Sequence, residues 1–223
     1  MRTGWPATSA CSRNTIVPRP TPERPDAGIT SLAALRAATM ACRECPLGEF
    51  ATQSVTGEGA RKPRLMLVGE QPGDQEDLQG RPFVGPAGKL LARALEAAGI
   101  PREQTFVSNA VKHFKFELRG KRRIHKSPTQ REIAACQHWL EDEIALVKPA
   151  ALVALGSSAA RSLLGRAVPV LANRGQWLAR DDGLQVLVTL HPSALLRVDA
   201  EDREPAFQAF VADLRQAQRL FRA

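Results

Sequence analysis

Several features by which a chain is often classified are missing from this sequence. No apolar run is long enough to cross a membrane. Residues 1–28 lack the apolar middle that a signal peptide needs. No internal repeat is present. These absences predict a soluble, intracellular protein with no membrane association, in which disulfide bonds are not expected.

Acidic residues are scarcer than basic ones, with 23 Asp and Glu against 31 Lys and Arg and a formal net charge of +8. The excess is concentrated in residues 112–126, where Glu117 is the one acidic residue among seven cations. These cations are Lys112, Lys115, Arg119, Lys121, Arg122, Arg123 and Lys126. A solvated face is the plain interpretation, but such clustering favours a polyanionic partner.

The length of 223 residues suits one α/β domain with a tail. Residues 1–28 are rich in Pro, Arg, Thr and Ser, and they offer few apolar groups to offset the entropy of ordering. We therefore predict a disordered basic tail over 1–28 and a single domain over 29–223.

Strands and helices alternate along the predicted domain. Apolar runs predict strands at 64–69, 105–111, 150–155 and 185–190. Helical periodicity and start signals predict helices at 31–40, from 85 to Gly99, at 128–147, from 157 to Gly165 and at 205–221. Alternation of this kind predicts a parallel sheet.

Four polar or turn residues fall at the carboxyl ends of these strands, where ligands bind in parallel sheets. They are Glu70, Asn109, Gly156 and His191. The segment 121–125 (KRRIH) reads as a basic loop that follows the second strand and ends in His125. A carboxylate, an amide, a histidine and a cationic loop at one edge describe a site for an anionic polymer.

The four cysteines are Cys11, Cys42, Cys45 and Cys136. Cys42 and Cys45 form a CxxC pair, which suits two thiolates on one ion or cluster, although a pair of reduced bystander thiols fits as well. Cys136 is a sensible third ligand. The fourth is Cys11 or His113, and we favour His113 because Cys11 lies in the predicted tail. Such a set fits zinc as well as an iron–sulfur cluster.

One apparent nucleotide-binding motif does not hold. Residues 85–89 (GPAGK) look like a phosphate loop, but a Walker A motif needs glycine at 83 and Ser or Thr at 90. This chain has Phe83 and Leu90.

The motifs GEQPG at 69–73, GRPFVGPAG at 80–88, SNAVK at 108–112 and HPS at 191–193 resemble those of the uracil-DNA glycosylase superfamily. They are most similar to its iron–sulfur family 4 enzymes. Within these, the chain resembles the UdgX group in three respects: the extension QPGDQED at 71–77, His113 in place of a third cysteine, and the inserted 121–125 segment. The resemblance covers roughly 32–220.

The resemblance implies a three-layer α/β/α fold with a central four-stranded, mostly parallel sheet. It also implies a [4Fe-4S] cluster held by Cys42, Cys45, His113 and Cys136. Cys11 has no counterpart in the motif. The implied activity is excision of uracil from DNA, single strands included, by a monomeric cytoplasmic enzyme that associates with the nucleoid during repair.

The chemistry of uracil excision suggests a role for each residue expected to contact the base. Phe83, in what reads as an exposed loop, is expected to stack on uracil. Asn109 can accept from N3–H and donate to O4, the reverse of the cytosine pattern. His191, with Ser193 beside it, can donate to O2 as charge develops on the leaving base, or cap the next helix.

The residues after the first strand are expected to act near the sugar. Glu70 can stabilise an oxocarbenium cation or act as a base. Gln71 is expected to contact the base or the sugar. Asp74 and Asp77 are expected to orient Arg123 or His125, or to cap a turn.

His125 carries the sharpest expectation. The resemblance to the UdgX group implies that its imidazole attacks C1′ in place of water and leaves the protein covalently attached to abasic DNA. Glu70 would then accept the imidazole proton, Arg123 would hold the loop or a phosphate, and turnover would stop after one event. Two alternatives remain: a conventional glycosylase that uses water, and a non-catalytic nucleic-acid-binding protein.

Overall fold

Four parallel strands form the centre of the molecule in the computed structural model, which describes residues 28–221. The predicted tail over 1–28 therefore lies, except for Gly28, outside the described residues. The strands are β1 Glu58–Gly59, β2 Leu65–Gly69, β3 Thr105–Asn109, β4 Phe116–Arg119, β5 Arg122–His125, β6 Leu152–Leu155, β7 Gln176–Ala179 and β8 Gln185–Thr189.

Helices connect the strands. They are α1 Leu32–Ala41, α2 Leu47–Phe50, α3 Asp74–Gln79, α4 Pro86–Ala97, α5 Gln130–Val147, α6 Ser157–Leu164, α7 Val170–Asn173, α8 Pro192–Leu195 and α9 Arg203–Arg215. Short 3₁₀ turns occupy Arg102–Gln104, Ala200–Asp202 and Gln218–Phe221. No helix within residues 28–221 is both long enough and apolar enough to cross a membrane.

The predicted three-layer α/β/α architecture is confirmed. The strand order is β1-β3-β2-β6-β8-β7, and the pairs among β3, β2, β6 and β8 are parallel. Alternate strand residues face opposite sides: Leu65 and Leu67 pack with α4 and α9, whereas Met66 and Val68 pack with α5 and α6. This period of two is the geometry of a strand buried on both faces.

The sheet is wider than predicted. Two antiparallel edge strands, β1 and β7, extend the four predicted strands to six. The sequence analysis missed them because β1 has two residues and β7 is only half-buried. Short edge strands of this kind carry little apolar signal.

The basic loop at 121–125 is also different from the prediction, since it is the second half of a β-hairpin. Strands β4 and β5 pair antiparallel, with Arg119 opposite Arg122. Gly120 adopts a positive φ of 61° at the first of the two turn positions, a conformation that suits glycine. Charged, exposed side chains on a two-stranded hairpin conceal the strand pattern in the sequence.

Helix boundaries follow the capping residues. Ser31 caps α1 through a bond from the Ala34 N–H, and Thr129 forms a capping box with Glu132 at the start of α5. The helix predicted over 205–221 is instead α9 followed by a 3₁₀ turn. Helix α3 was not predicted.

A fully buried ion pair links the segment after β3 to α5. Lys112 Nζ lies 2.8 Å from Glu143 Oε2, and neither side chain is exposed to solvent. Lys112 Nζ also donates to the Asn109 carbonyl at 2.8 Å, and the Ser108 hydroxyl donates to Glu143. Because a buried charge is costly without its partners, Lys112 and Glu143 must stay paired. Their contacts with Ser108 and Asn109 therefore fix the end of β3.

We therefore expect Glu143→Leu to lower the free energy of unfolding by about 3–5 kcal/mol, since Lys112 would stay buried and unpaired. Lys112→Met combined with Glu143→Leu should recover part of this loss, because no charge then lacks a partner. Urea denaturation of the three proteins measures both effects. Glu58→Gln is the control, since it breaks a surface pair with the exposed Arg81 and should change little. Equal losses in the Glu143 and Glu58 variants would contradict this interpretation.

Candidate active site and metal centre

A cleft opens at the carboxyl ends of the parallel strands. Gly69 lies opposite Asn109 in the β2–β3 register, and Leu155 lies opposite Thr189 in the β6–β8 register. Two cavities in the cleft share Gln71, His125, His191, Ser193 and Arg197. The smaller, which we call the Asn109 pocket, measures about 390 Å³ and is also lined by Phe83 and Glu76. The larger, the Leu171 cavity, measures about 510 Å³.

The Asn109 pocket is built around Gly69. A Cβ added to Gly69 would lie 2.8 Å from Phe83 Cζ and 3.3 Å from His191 Nε2, and it would overlap Asn109 Oδ1. Three side chains from three separate segments therefore meet over this glycine. Only a residue without a side chain allows that close approach.

His191 presents a defined donor to this pocket. Its Nδ1 accepts from the Ser193 backbone N–H at 3.2 Å and lies 2.8 Å from the Ser193 hydroxyl. Burial, with smaller contributions from His125 and Arg197, lowers the pKa of His191 to about 4. The ring is therefore neutral, with its proton on Nε2, which faces the pocket. The capping role and the donor role predicted for His191 use the same tautomer.

Asn109 and Phe83 form the rest of the pocket wall. Asn109 is 2% exposed, and its side chain lines the pocket, with Oδ1 directed at the space above Gly69. Phe83 is half-buried and packs against the core, so it does not lie in an exposed loop as predicted. Its φ of 57° is unusual for a bulky residue. Such strain is typical of functional sites.

Glu76 was not found by the sequence analysis, yet it holds two of the loops around the pocket. It is buried, its Oε1 accepts from the Gly85 N–H at 2.8 Å, and a Cβ at Gly73 would lie 2.6 Å from its Oε2. Gly85 directly precedes α4 and lies two residues after Phe83. Glu76 thus ties the loop carrying Phe83 to the loop after β2. Its place among other acidic residues of α3 gave no signal of burial.

Gln71 lies against the hairpin rather than in the Asn109 pocket alone. Its Oε1 accepts from the Lys115 N–H at 3.0 Å, and its Nε2 donates to the Lys126 carbonyl at 2.8 Å. These backbone groups fix the orientation of the amide. The remaining amide N–H points at His125 Nε2, 2.9 Å away. His125 Nε2 is then the acceptor, and the ring proton lies on Nδ1.

His125 stands at the mouth of both cavities and is half-exposed. Burial lowers the pKa of His125, as does Arg197, while Glu70 opposes the shift. The ring is therefore neutral, and the lone pair on Nε2 accepts from Gln71. Glu70 Oε1 lies 4.0 Å from that nitrogen, and Glu70 Oε2 accepts from the Ser158 hydroxyl at 2.5 Å.

Arg123 anchors the hairpin. Its guanidinium lies 2.6 Å from both Asp77 and Asp74. It also lies over the rings of Phe114 and Phe116, at 5.5 and 5.1 Å from their centroids. Of the predicted alternatives for the two aspartates, the structure places both against Arg123 and neither against His125. A charge pair with a fully buried Asp77 is a firm attachment.

Three of the predicted metal ligands are cysteines that share one part of the core. Cys42, Cys45 and Cys136 belong to one apolar cluster with Trp139. The indole N–H of Trp139 points at Cys42 Sγ at 3.4 Å, and the Lys112 N–H points at Cys136 Sγ at 3.3 Å. Within residues 28–221, no three His, Cys, Asp or Glu side chains lie close enough to ligate one metal ion. Cys11 lies outside the described residues.

The chemistry of these thiols suits ligands of a metal cluster. Burial raises the pKa of Cys136 to about 12 and also raises that of Cys45. Thiolates in such surroundings need a compensating cation. N–H groups directed at sulfur are characteristic of iron–sulfur ligation. His113 is buried, and burial lowers its pKa, so its imidazole is neutral as a metal ligand must be.

The fold and this cleft define a family. The uracil-DNA glycosylase superfamily model matches residues 56–215. The chain belongs to the uracil-DNA glycosylase superfamily.

Individual relatives are similar over most of their length. A type-4 uracil-DNA glycosylase of Thermotoga maritima is 40% identical over 157 residues, which cover 70% of this chain and 78% of that protein. A type-4 uracil-DNA glycosylase of Pyrobaculum aerophilum is 38% identical over 166 residues, which cover 71% of this chain and 81% of that protein.

The lowered pKa of His191 predicts a pH-dependent stability. Between pH 6.5 and about 4 the unfolded chain takes up a proton at His191 that the folded protein does not. The stability that depends on a neutral His191 is complete above pH 6.5 and is lost as the pH falls toward about 4. From pH 7 to 5, wild type should lose roughly 2 kcal/mol more unfolding free energy than His191→Gln. Urea denaturation at both pH values tests this, and parallel losses would contradict it.

Proposed function

We propose that the protein is a uracil-DNA glycosylase that becomes covalently attached to the abasic site through His125. The observation that carries the proposal is the neutral His125 Nε2, held by Gln71 between Glu70 and the Asn109 pocket. The family and the names of the type-4 relatives support uracil excision. The covalent step rests on the cleft geometry and on the resemblance to the UdgX group.

Base recognition falls to the Asn109 pocket. The side-chain amide of Asn109 would accept from uracil N3–H and donate to O4. Phe83 would cover the base, and His191 Nε2–H would donate to O2. As the C1′–N1 bond breaks, its electron pair moves onto uracil, and this preorganised donor stabilises the developing anion.

The next step forms a bond between His125 Nε2 and C1′. The Nε2 lone pair would leave its hydrogen bond with Gln71 and add to the cationic C1′, and the resulting imidazolium would lose its Nδ1 proton to solvent. Because Gln71 keeps the proton on Nδ1, Glu70 faces the nitrogen that carries none. We therefore assign Glu70 to stabilising the cation rather than to accepting the imidazole proton.

A binding protein without catalysis is the weaker candidate. Phosphate contacts need cations and hydrogen-bond donors, whereas Glu70 adds a carboxylate and Asn109 and His191 add an amide and a neutral imidazole directed into a base-sized pocket. A glycosylase that uses water differs only in the fate of C1′. The position of His125 Nε2 at the mouth of the pocket favours capture over hydrolysis.

We also propose a [4Fe-4S] cluster held by Cys42, Cys45, His113 and Cys136. Its irons would each take one ligand, which suits thiols that share an apolar cluster without converging on one ion. The cluster would supply a cross-link between the α1–α2 junction, the segment after β3 and α5. Lys112 connects this region to Asn109. Its backbone N–H points at Cys136 Sγ, and its Nζ donates to the Asn109 carbonyl.

His125→Ala should abolish covalent capture while uracil release continues, because the variant keeps Asn109, Phe83 and His191. The measurement is a denaturing gel of protein mixed with a labelled single strand carrying one uracil, together with direct assay of released uracil. His191→Gln should slow both products, since it acts before the two paths divide. A heat-stable adduct in His125→Ala would disprove the role of His125. Absence of uracil release from wild type would overturn the glycosylase itself.

The metal centre predicts iron and acid-labile sulfide in the purified protein, with a broad absorbance at about 400 nm from thiolate-bound iron. Cys136→Ser should lose most of this signal. Cys11→Ser is the matched control and should retain it, because Cys11 has no place in the proposed ligand set. Stoichiometric zinc without iron in anaerobically prepared protein would refute the cluster.

A further inference from the structure

Leu171 is the most exposed large apolar side chain among those the structure describes, with 76% of its surface accessible. It lies on the four-residue helix α7 and belongs to none of the three core clusters formed within residues 28–221. A lone exposed leucine is ordinary on a protein surface. Its position on the rim of the Leu171 cavity makes this one different.

The Leu171 cavity has a mixed lining. Residues 168–171 together with Leu155 and Leu190 form its apolar wall. Its polar lining includes Glu70, His125, Ser157 and Arg197. A lining of both kinds suits a nucleotide, which combines the apolar faces of a base with a polar sugar–phosphate.

The apolar wall is held in place before any ligand binds. Asn173 Nδ2 donates to the Pro169 carbonyl at 2.8 Å, and Gln176 Nε2 donates to the Ala172 carbonyl at 3.2 Å. Val168 is buried and Val170 packs against the core, so the segment is anchored on its inner side. Leu171 therefore projects from a fixed support, which lowers the entropy cost of binding.

The Leu171 cavity meets the Asn109 pocket at Gln71, His125 and His191. If the target uracil fills the Asn109 pocket, its sugar lies at this junction beside His125. The strand must then continue past the junction, and the Leu171 cavity is the space that opens there.

From these observations we infer that the Leu171 cavity is a second subsite, which binds the base of the nucleotide next to the target uracil against the 168–171 wall. The inference rests on the proposed function and extends it from the excised base to its neighbour. Contact between a base and an exposed apolar side chain is sequence-tolerant, because every base has an apolar face. The subsite therefore senses the presence of a neighbouring base rather than its identity.

The test compares Leu171→Ala with Leu78→Ala. Leu78 is a matched control because it is 59% exposed and lines neither cavity. Single strands carry 2′-fluoro-2′-deoxyuridine, whose fluorine disfavours base release, so that affinity is measured by fluorescence anisotropy without reaction. In a second set, the nucleotide on the 5′ or the 3′ side of the target is replaced by a tetrahydrofuran spacer that has no base.

Leu171→Ala should weaken binding of the unmodified strand by roughly three- to tenfold, the scale of burying part of a leucine side chain. Leu78→Ala should not. On one of the two spacer strands, the one that lacks the base bound by the subsite, wild type and Leu171→Ala should have equal, weakened affinities. The same pattern is expected in single-turnover uracil release from strands with ordinary deoxyuridine.

Three outcomes would overturn the subsite. They are an unchanged affinity in Leu171→Ala, an equal loss of affinity in Leu78→Ala, and a difference between wild type and Leu171→Ala that remains both with the 5′ spacer and with the 3′ spacer. Failure of the proposed function gives a different result, since wild type would then release no uracil from any strand. The affinity comparison still decides the role of Leu171 in that case, because it does not depend on base release.

Discussion

The parallel register of the central strands is the constraint on which the rest of the structure depends. Because β2 and β3 end at the same level, as do β6 and β8, the residues that follow them enter one cleft. Glu70, Gly156 and His191 line it for that reason. Gly69 then decides how closely the walls approach, since the space above it is filled by Phe83, Asn109 and His191. A side chain at this position would separate the groups that form the pocket.

The hairpin adds to this cleft a group that the sheet cannot supply. His125 reaches the mouth of the pocket because Arg123, two residues earlier, is held by Asp77 and by two phenylalanine rings. Gln71 joins the sheet to the hairpin, since its amide binds backbone groups on both sides of it. The same contact sets the tautomer of His125. Arg123 and Gln71 thus position the imidazole together, and Gln71 also decides which of its nitrogens carries the proton.

Buried polar groups connect the thiols to the pocket. Lys112 donates from its backbone to Cys136 Sγ and from its side chain to the Asn109 carbonyl, while Glu143 balances its charge. In a region of low dielectric each of these groups is costly unless all are paired. The end of β3 is therefore fixed from two directions.

The sequence by itself determined the elements whose signals are local. Apolar runs predicted the four parallel strands, helical periodicity and start signals predicted the longer helices, and strand-end residues indicated where the cleft would lie. The tertiary structure alone decided the edge strands, the hairpin, the buried position of Glu76 and the tautomers of His125 and His191. These depend on partners distant in the chain, such as Gln71 and His125, which are 54 residues apart. Local propensity and periodicity carry no information about such contacts, because packing creates them.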